Sequence, residues 1–271
     1  MTMFFTSKPI IIASTLLSLA AFNAQSTVVE IRTSEGTIEV NLFDQTTPKT
    51  VENFLSYVNS GSYASSVMHR SVRNFVIQGG GFTYTGPIEV SSFTMDSIPK
   101  DTPIVNEPKL SNVRGTIAMA KTSNPDSATS QWFINLSDNS SSLDVASNSG
   151  GFTVFGQVVG DGMQVVDTIA AATTLNAGGV FAEIPVQNYT QADVDNSVAI
   201  TDDNLFVVND IVVINTDVDS AANLQPKVNT LVNQQNPSSD SGSGGSLGWM
   251  LLGAFLLLIG RHNGLKAMQK V

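Results

Sequence analysis

Residues 68–82 read MHRSVRNFVIQGGGF, which brings an arginine, bulky apolar residues, a glutamine and a glycine turn into one short stretch. A companion follows in two parts, GTIAMAK at residues 115–121 and SQWFIN at residues 130–135. Taken singly, the aromatic residues read as ordinary core and the arginine as the partner of a surface acid. A site is indicated only by the joint order of five residues, which are Arg70, Phe75, Gln78, Gln131 and Phe133.

In this order the segments resemble the two signature segments of the cyclophilin-type peptidyl-prolyl isomerases, over residues 28–171. The resemblance implies that Arg70 is the catalytic arginine and that Gln78 orients it. It also implies a pocket for a proline ring and a backbone contact to the substrate chain. The substrate-binding residues carried over in this way are Phe75, Val76, Ala120, Lys121, Gln131, Phe133 and Leu143.

Four positions depart from the family pattern. Val76 stands where methionine is usual, and Lys121 stands where asparagine is usual, although a backbone contact would survive that change. Ser142 replaces an aromatic residue just before Leu143, and Phe152 replaces a histidine or tyrosine at the pocket edge. The resemblance implies that these two changes bear on binding of the family's cyclic-peptide inhibitor more than on the chemistry of the arginine.

The residue types suit the chemistry without reference to the family. Rotation about an X-Pro bond destroys amide resonance, with a barrier of about 18–20 kcal/mol. The twisted nitrogen becomes pyramidal and accepts a hydrogen bond, so a rigid donor aimed at it stabilises the transition state more than either planar isomer. A guanidinium such as that of Arg70 donates at every relevant pH.

Periodicity predicts a β-rich domain. Residues 28–42 alternate strictly around a Ser-Glu-Gly turn, which predicts a hairpin. Thr47 and Pro48 are predicted to start a helix, as N-cap and first-turn proline, and Asp161 a second one. Short apolar runs lie between the two helices, and the last strand is predicted at residues 205–208 or 211–214. The resemblance implies a closed antiparallel eight-stranded barrel with a helix over each open end.

Two segments exceed the compact family pattern. Residues 173–210 form an acidic insertion that contains many apolar residues, so we expect an extra hairpin or an elaborated loop packed on the barrel. Residues 140–151 form a loop rich in Ser, Asn and Gly at the edge of the expected pocket. With the insertion included, the predicted domain covers residues 25–225.

Charge and composition exclude several classes of function. Residues 25–246 hold nine Lys and Arg against 23 Asp and Glu, whereas a nucleic-acid partner requires a basic stripe. No cysteine is present, and His69 is the one histidine before the tail, which argues against a metal site and against any cofactor. A Ser-His-Asp hydrolase would need a G-x-S-x-G elbow, and the sequence has none.

Both ends of the chain resemble targeting segments. Residues 1–24 have one lysine followed by a short apolar run, in the manner of a secretory signal peptide, with an uncleaved anchor as the alternative. Residues 226–246 read as a flexible Ser/Gly-rich linker. Residues 247–271 form an apolar segment with a basic end, which resembles Gram-negative sorting tails clipped by a rhomboid-like protease, with a plain membrane anchor as the less favoured alternative. The predicted location is the periplasm or cell surface.

Two functions are open from the sequence. The first is an exported, monomeric prolyl isomerase that acts on proline-containing polypeptides without a cofactor. The second is a non-catalytic module that holds proline segments in the same groove. The presence of Arg70, Phe75, Gln78 and Phe133 favours the enzyme.

Overall fold

The computed structural model describes residues 27–215 and 224–234, and these are mainly β. The strands are β1 Val28–Thr33, β2 Gly36–Leu42, β3 Ser66–Val67, β4 Arg70–Val72, β5 Val76–Gly79, β6 Phe82–Thr83, β7 Asp96–Ser97, β8 Thr116–Met119, β9 Trp132–Asn135, β10 Val154–Val158, β11 Thr173–Leu175, β12 Ile184–Val186 and β13 Val207–Asn215. The helices are α1 Pro48–Asn59, α2 Ser140–Leu143, α3 Gly162–Ala171 and α4 Gln191–Asp195. Three 3₁₀ turns lie at Val90–Ser92, Gly179–Phe181 and Asp202–Asn204.

The predicted hairpin is present as β1 and β2, paired in register from Val28 opposite Asn41 to Thr33 opposite Gly36. The hydroxyl oxygen of Thr33 accepts the N–H groups of Glu35 and Gly36, which ties the turn. Alternate residues of both strands are fully buried, so the period of two in the sequence does mark the inward face. The last predicted strand is β13, which contains all of residues 211–214 and only the last two residues of 205–208.

Eleven of the strands form one curled antiparallel sheet, in the order β4-β5-β9-β8-β10-β2-β1-β13-β3-β6-β7. Only Met68 and His69 separate β3 from β4. Met68 donates its N–H to the carbonyl of Phe206 at 3.0 Å, and His69 donates its N–H to that of Gln78 at 3.0 Å. The ladders establish a curled sheet with β4 and β7 at its ends, and closure into an eight-stranded barrel stays a prediction.

Two helices pack on the curled sheet, as predicted. Helix α1 lies against β13 and α3 against β2. The helices and the concave face of the sheet share one main core, which includes Phe54 and Phe155, with ring centroids 5.1 Å apart. Residues at helical spacing point inward because one face of each helix is apolar.

The cap of α1 differs from the prediction. Thr47 does occupy the N-cap position, but its side chain makes no capping bond and instead donates to the carbonyl of Phe43. The carboxylate of Glu107 caps the helix instead. It accepts hydrogen bonds from both the N–H and the hydroxyl of Thr50 in the first turn, at 3.0 and 2.9 Å. An acid at a helix N-terminus satisfies free N–H groups and complements the helix dipole.

The insertion forms a small unit of its own on the outside of the sheet. Strands β11 and β12 pair as a two-stranded ribbon. Helix α4 and the 3₁₀ turns at Gly179–Phe181 and Asp202–Asn204 belong to the same insertion. Their apolar residues bury a second core, here named the insertion cluster, whose buried members are Val67, Phe181, Ile184, Val186, Tyr189, Ile200 and Leu205. This is the extra hairpin packed on the sheet that the sequence predicts.

Residues 224–234 return to the domain. Val228 forms an isolated β-bridge with Leu110. Ser111 donates its N–H to the carbonyl of Lys227 at 2.8 Å. The buried side-chain amide of Asn229 donates to the carbonyl of Asp144 at 3.0 Å. The predicted flexible linker starts at 226, so Lys227, Val228 and Asn229 have contacts with the domain that the sequence prediction did not include.

The other predictions for the chain ends fall on residues outside the described part. These are the leader at 1–24, the rest of the linker and the apolar tail at 247–271. Within residues 27–215 and 224–234, no helix has the length and apolar character needed to cross a bilayer.

Candidate functional site

Arg70 and Gln78 face each other across the hairpin of β4 and β5, where their Cα atoms are paired. Asn74 adopts φ +57° in the connecting turn, a conformation that asparagine tolerates better than most residues. Directly opposed residues in an antiparallel pair project from the same side of the sheet. The hairpin therefore sets Arg70 and Gln78 side by side, and the Arg70 side chain is only 12% exposed.

An apolar wall adjoins this pair. The ladder from β5 to β9 and β8 places Phe133 opposite both Gln78 and Ala118. Phe133, Val76 and Leu143 are buried in one group, here named the pocket cluster, together with Phe43, Leu110, Ala118, Phe152 and Val154. Phe75, Ala120 and Leu224 pack against it while partly exposed. The structure thus brings together all five predicted apolar residues of the ring pocket and its edge.

Two amides link the strands beside the wall. Gln78 Nε2 donates to Gln131 Oε1 at 2.7 Å. The backbone of Gln131 accepts the N–H of Ala120 at 2.9 Å, which fixes the predicted substrate-binding segment against β9. Gln131 also lies over Gly81, where an added Cβ would come 2.9 Å from the amide carbon of its side chain. The position of Gln131 therefore depends on a glycine at residue 81.

The glycine turn is required by space as well as by conformation. Gly80 has φ +73°, and a Cβ there would lie 2.7 Å from the carbonyl oxygen of Ser130 and from the Trp132 ring. No side chain fits such an approach without displacing backbone. The run of consecutive glycines at residues 79–81 thus reflects close packing of the turn on β9.

Arg70 forms an ion pair with Glu183, an acid of the insertion. Arg70 Nε donates to Glu183 Oε2 at 3.0 Å. Sequence reasoning missed Glu183, because the two residues are 113 positions apart. One signal was present: no Lys or Arg occurs between Lys121 and Lys227, so any ion pair of an acid in the insertion must reach outside it.

His69 is buried directly beside Arg70. Burial disfavours its charged form and lowers its pKa to about 4, and the positive charge of Arg70 acts in the same direction. Its Nδ1 atom has no hydrogen-bond partner among the described residues. The ring meets the edge of Phe82 at 5.0 Å, and Phe82 meets Phe181 of the insertion cluster at 4.7 Å. His69 is thus a neutral packing element between the site and the insertion.

These features together describe a cationic donor at the rim of an apolar pocket with hydrogen-bonding amides alongside. Within the described ranges, no cluster of His, Asp or Glu has the arrangement of a metal site. The family model for "Cyclophilin type peptidyl-prolyl cis-trans isomerase/CLD" matches residues 28–191. The chain belongs to the cyclophilin-type peptidyl-prolyl isomerase family. It is an enzyme that isomerises X-Pro peptide bonds.

Relatives in several bacteria carry the same activity in their names. The chain is 45% identical over 171 residues to "Peptidyl-prolyl cis-trans isomerase A" of Dickeya dadantii, covering 60% of this chain and 84% of that protein. It is 40% identical over 169 residues to "Peptidyl-prolyl cis-trans isomerase B" of Escherichia coli, covering 59% and 94% respectively. A crystal structure of a Cryptosporidium parvum cyclophilin type isomerase matches with TM-score 0.50 at 22% identity, over 71% of this chain and 99% of that one. That match supports the cyclophilin-like fold.

The cyclophilin rim is modified at Lys121. Its ammonium donates to the carbonyl of Ser149 and lies 4.4 Å from the centroid of the Phe152 ring. Burial lowers the pKa of Lys121 to about 8. The side chain therefore ties the loop at 140–151 to the end of β8, a use that the predicted backbone role of Lys121 does not include.

Hydrogen bonds to a buried aspartate hold the loop at residues 140–151 on the domain. Asp144 is buried and accepts hydrogen bonds from the hydroxyl of Ser111 and from the backbone and side-chain amides of Asn112. Ser142 donates to the carbonyl of Asn139 at 3.1 Å, so it serves the short helix α2. Phe152 meets the edge of Phe133 at 5.9 Å and joins the pocket cluster. The rim thus has an aromatic residue at 152 and none at 142.

Proposed function

We propose that Arg70 supplies the hydrogen bond to the proline nitrogen at the twisted transition state. The observation that supports this most is its position, nearly buried and paired across the hairpin with Gln78 beside Phe133. A donor held there meets an X-Pro bond whose ring lies on the apolar wall. Donors placed in advance where charge develops favour the transition state over both planar isomers.

The pocket is proposed to supply the remainder of the rate gain. Bringing an isomerisation of tens of seconds to milliseconds requires roughly 10⁵-fold acceleration, or about 7 kcal/mol. One charge-assisted hydrogen bond contributes about 1.5–3 kcal/mol. Desolvation of the amide and the grip of Phe75, Val76, Phe133 and Leu143 on the proline ring account for the difference. Gln78 and Gln131, with the backbone of Ala120 and Lys121, are proposed to hold the substrate chain and the arginine.

The test is a protease-coupled assay on a short X-Pro peptide. Arg70→Ala is expected to lower kcat/KM by about 10–100-fold with the fold intact, since it removes one charge-assisted bond. Arg70→Lys is expected not to restore the rate, because lysine lacks the planar fork. Arg73→Ala is the matched control, as Arg73 lies in the same hairpin and is exposed. A near-normal rate in Arg70→Ala would show that another group is the donor.

We further propose that the enzyme acts on exported proteins outside the cytoplasm. The support is in the sequence: a lysine and short apolar run in residues 1–24, and an apolar run with a basic end in residues 247–271. Thirteen apolar residues reach roughly 20 Å as a helix, short of a hydrocarbon core of about 30 Å. Removal of the tail by a rhomboid-like protease is therefore favoured over a permanent anchor.

Intact-mass measurement of the protein from its native cells tests this proposal. The expected species lacks residues 1–24 and ends near residues 244–248. A species that still ends at Val271 would instead support a permanent membrane anchor. A species that starts at Met1 and fractionates with the cytoplasm would contradict export.

For the scaffold, we infer that the curled sheet closes as an eight-stranded barrel. The support is the run from β3 to β4, which pairs with β13 through Val67 and with β5 through Arg70. If β3 and β4 form one bent strand, that strand pairs with β13 on one side and with β5 on the other, which closes the sheet into a barrel. A crystal structure in which residues 66–72 form no continuous ladder with both neighbours would contradict closure.

A further inference from the structure

Glu183 lies at the catalytic arginine although it belongs to the insertion. Its carboxylate accepts the Nε–H of Arg70 at 3.0 Å. Nε lies in the guanidinium plane and joins it to the side-chain stem. A bond at this atom therefore restrains how the plane turns, and the terminal nitrogens turn with it.

The backbone of Glu183 is held in place on both sides. Its carbonyl accepts the N–H of Ser71, the neighbour of Arg70, at 2.8 Å. The next residue, Ile184, is fully buried in the insertion cluster and begins β12. Val186, at the end of β12, forms an isolated antiparallel β-bridge with Leu205. The position of the carboxylate is thus set by the packing of the insertion on the sheet.

We propose that Glu183 is a positioning residue for Arg70, and that the insertion exists in part to place it. This inference rests on the proposed role of Arg70. A long side chain fixed before the substrate arrives loses less freedom when the transition state forms, so its donor acts more strongly. The effect is on the orientation of Arg70, and Glu183 itself makes no contact with the reacting bond.

Exposure limits the expected size of the effect. The Glu183 side chain is 43% exposed and that of Arg70 is 12% exposed, so solvent screens the pair in part. A surface ion pair with only a structural role would change the stability of the insertion and leave turnover unchanged. A positioning role would change kcat and leave the binding of the peptide nearly unchanged. Steady-state kinetics distinguish the two.

The experiment measures kcat and KM on an X-Pro peptide for Glu183→Gln in the full chain. We expect kcat to fall about fivefold and KM to stay within about twofold of the parent. Glu183→Asp keeps the charge on a shorter stem and is expected to fall between the parent and Glu183→Gln. Asp203→Asn is the matched control, an exposed acid of the same insertion, and is expected to match the parent.

A double-mutant cycle separates this inference from the role of Arg70. If Glu183 acts through the arginine, Glu183→Gln has no further effect in the Arg70→Ala background. Parental kcat in folded Glu183→Gln, or a fivefold loss that persists without Arg70, would overturn the inference. If Glu183→Gln unfolds the insertion, Glu183→Asp decides, because parental kcat there would also overturn it.

The same cycle tests the proposed function independently. A near-normal rate in Arg70→Ala would refute the arginine as donor, whatever Glu183 does. A low rate in Arg70→Ala with a parental rate in Glu183→Gln would refute only the positioning role.

Discussion

The pocket cluster and the insertion cluster approach Arg70 from two directions and are built differently. Four of the eight buried members of the pocket cluster lie on four neighbouring strands of one sheet, one on each of β5, β9, β8 and β10. The insertion cluster is assembled from turns, a short helix and a two-stranded ribbon that have little regular period. The pocket cluster is the proposed surface for the proline ring, and the insertion provides a carboxylate that contacts Arg70. The signature segments therefore contain Val76, Ala118 and Phe133 of the pocket cluster, and they do not contain Glu183.

The largest expected contrast comes from removing one aromatic ring from each cluster. Phe133→Ala and Phe181→Ala should each destabilise the fold by about 3–5 kcal/mol, because both rings are buried in cores. Phe133→Ala should also lower kcat/KM by about 100-fold or more, whereas Phe181→Ala should cost about fivefold, through Glu183. Urea unfolding and the peptide assay measure the two effects. Equal losses of activity would show that the clusters are not functionally distinct.

A second contrast concerns His69, which packs between the site and the insertion. Its folded-state pKa of about 4 lies below the usual value of 6.5, so the unfolded chain binds the proton more readily between these pH values. Stability that is present above pH 6.5 should fall by about 3 kcal/mol as the pH drops to 4. His69→Gln should lack this component, and carboxylates contribute equally to both proteins. Parallel pH curves from urea unfolding would contradict the neutral, buried state of the ring.

A third experiment sharpens the account of the pocket side alone. Gly81→Ala introduces a Cβ that would lie 2.9 Å from the Gln131 side chain, so the amide pair with Gln78 should shift. We expect kcat/KM to fall about three- to tenfold. In a Gln131→Ala background the added methyl has room, and Gly81→Ala should then cause no further loss. A further loss there would place the effect in the turn itself.

The smallest expected effect lies at the rim. Lys121→Met keeps an apolar stem over Phe152 and removes the cation and the donor to Ser149. The loss should be about 0.5–1 kcal/mol of stability, with kcat/KM within about twofold. Lys100→Met, at an exposed lysine, is the control for loss of charge. A tenfold loss of activity in Lys121→Met alone would make this lysine part of the catalytic site.

Local patterns predicted the parts of the molecule that local chemistry determines. The β1–β2 hairpin follows from strict alternation, and α1 and α3 follow from apolar residues at helical spacing. The pocket residues were placed by the resemblance of short segments, and the structure brings them together. Their catalytic and binding roles stay predictions, as do the leader, the tail and the closed barrel.

Contacts between distant parts of the chain were not predicted. Glu107 satisfies the first turn of α1 from 57 residues away, and Glu183 reaches Arg70 from 113 residues away. The return of Asn229 to Asp144 is of the same kind. No periodicity records which acid or amide will meet which donor once the chain has folded, so such contacts become visible only in three dimensions.

The hydrogen bond from Ser71 to the carbonyl of Glu183 has a consequence for association between molecules. Strand β4 ends the sheet, and an end strand with open backbone groups invites pairing with the strand of another molecule. The backbone before β12 occupies this N–H and covers that flank of β4. The insertion thus blocks edge-to-edge pairing at this flank of the strand that carries Arg70.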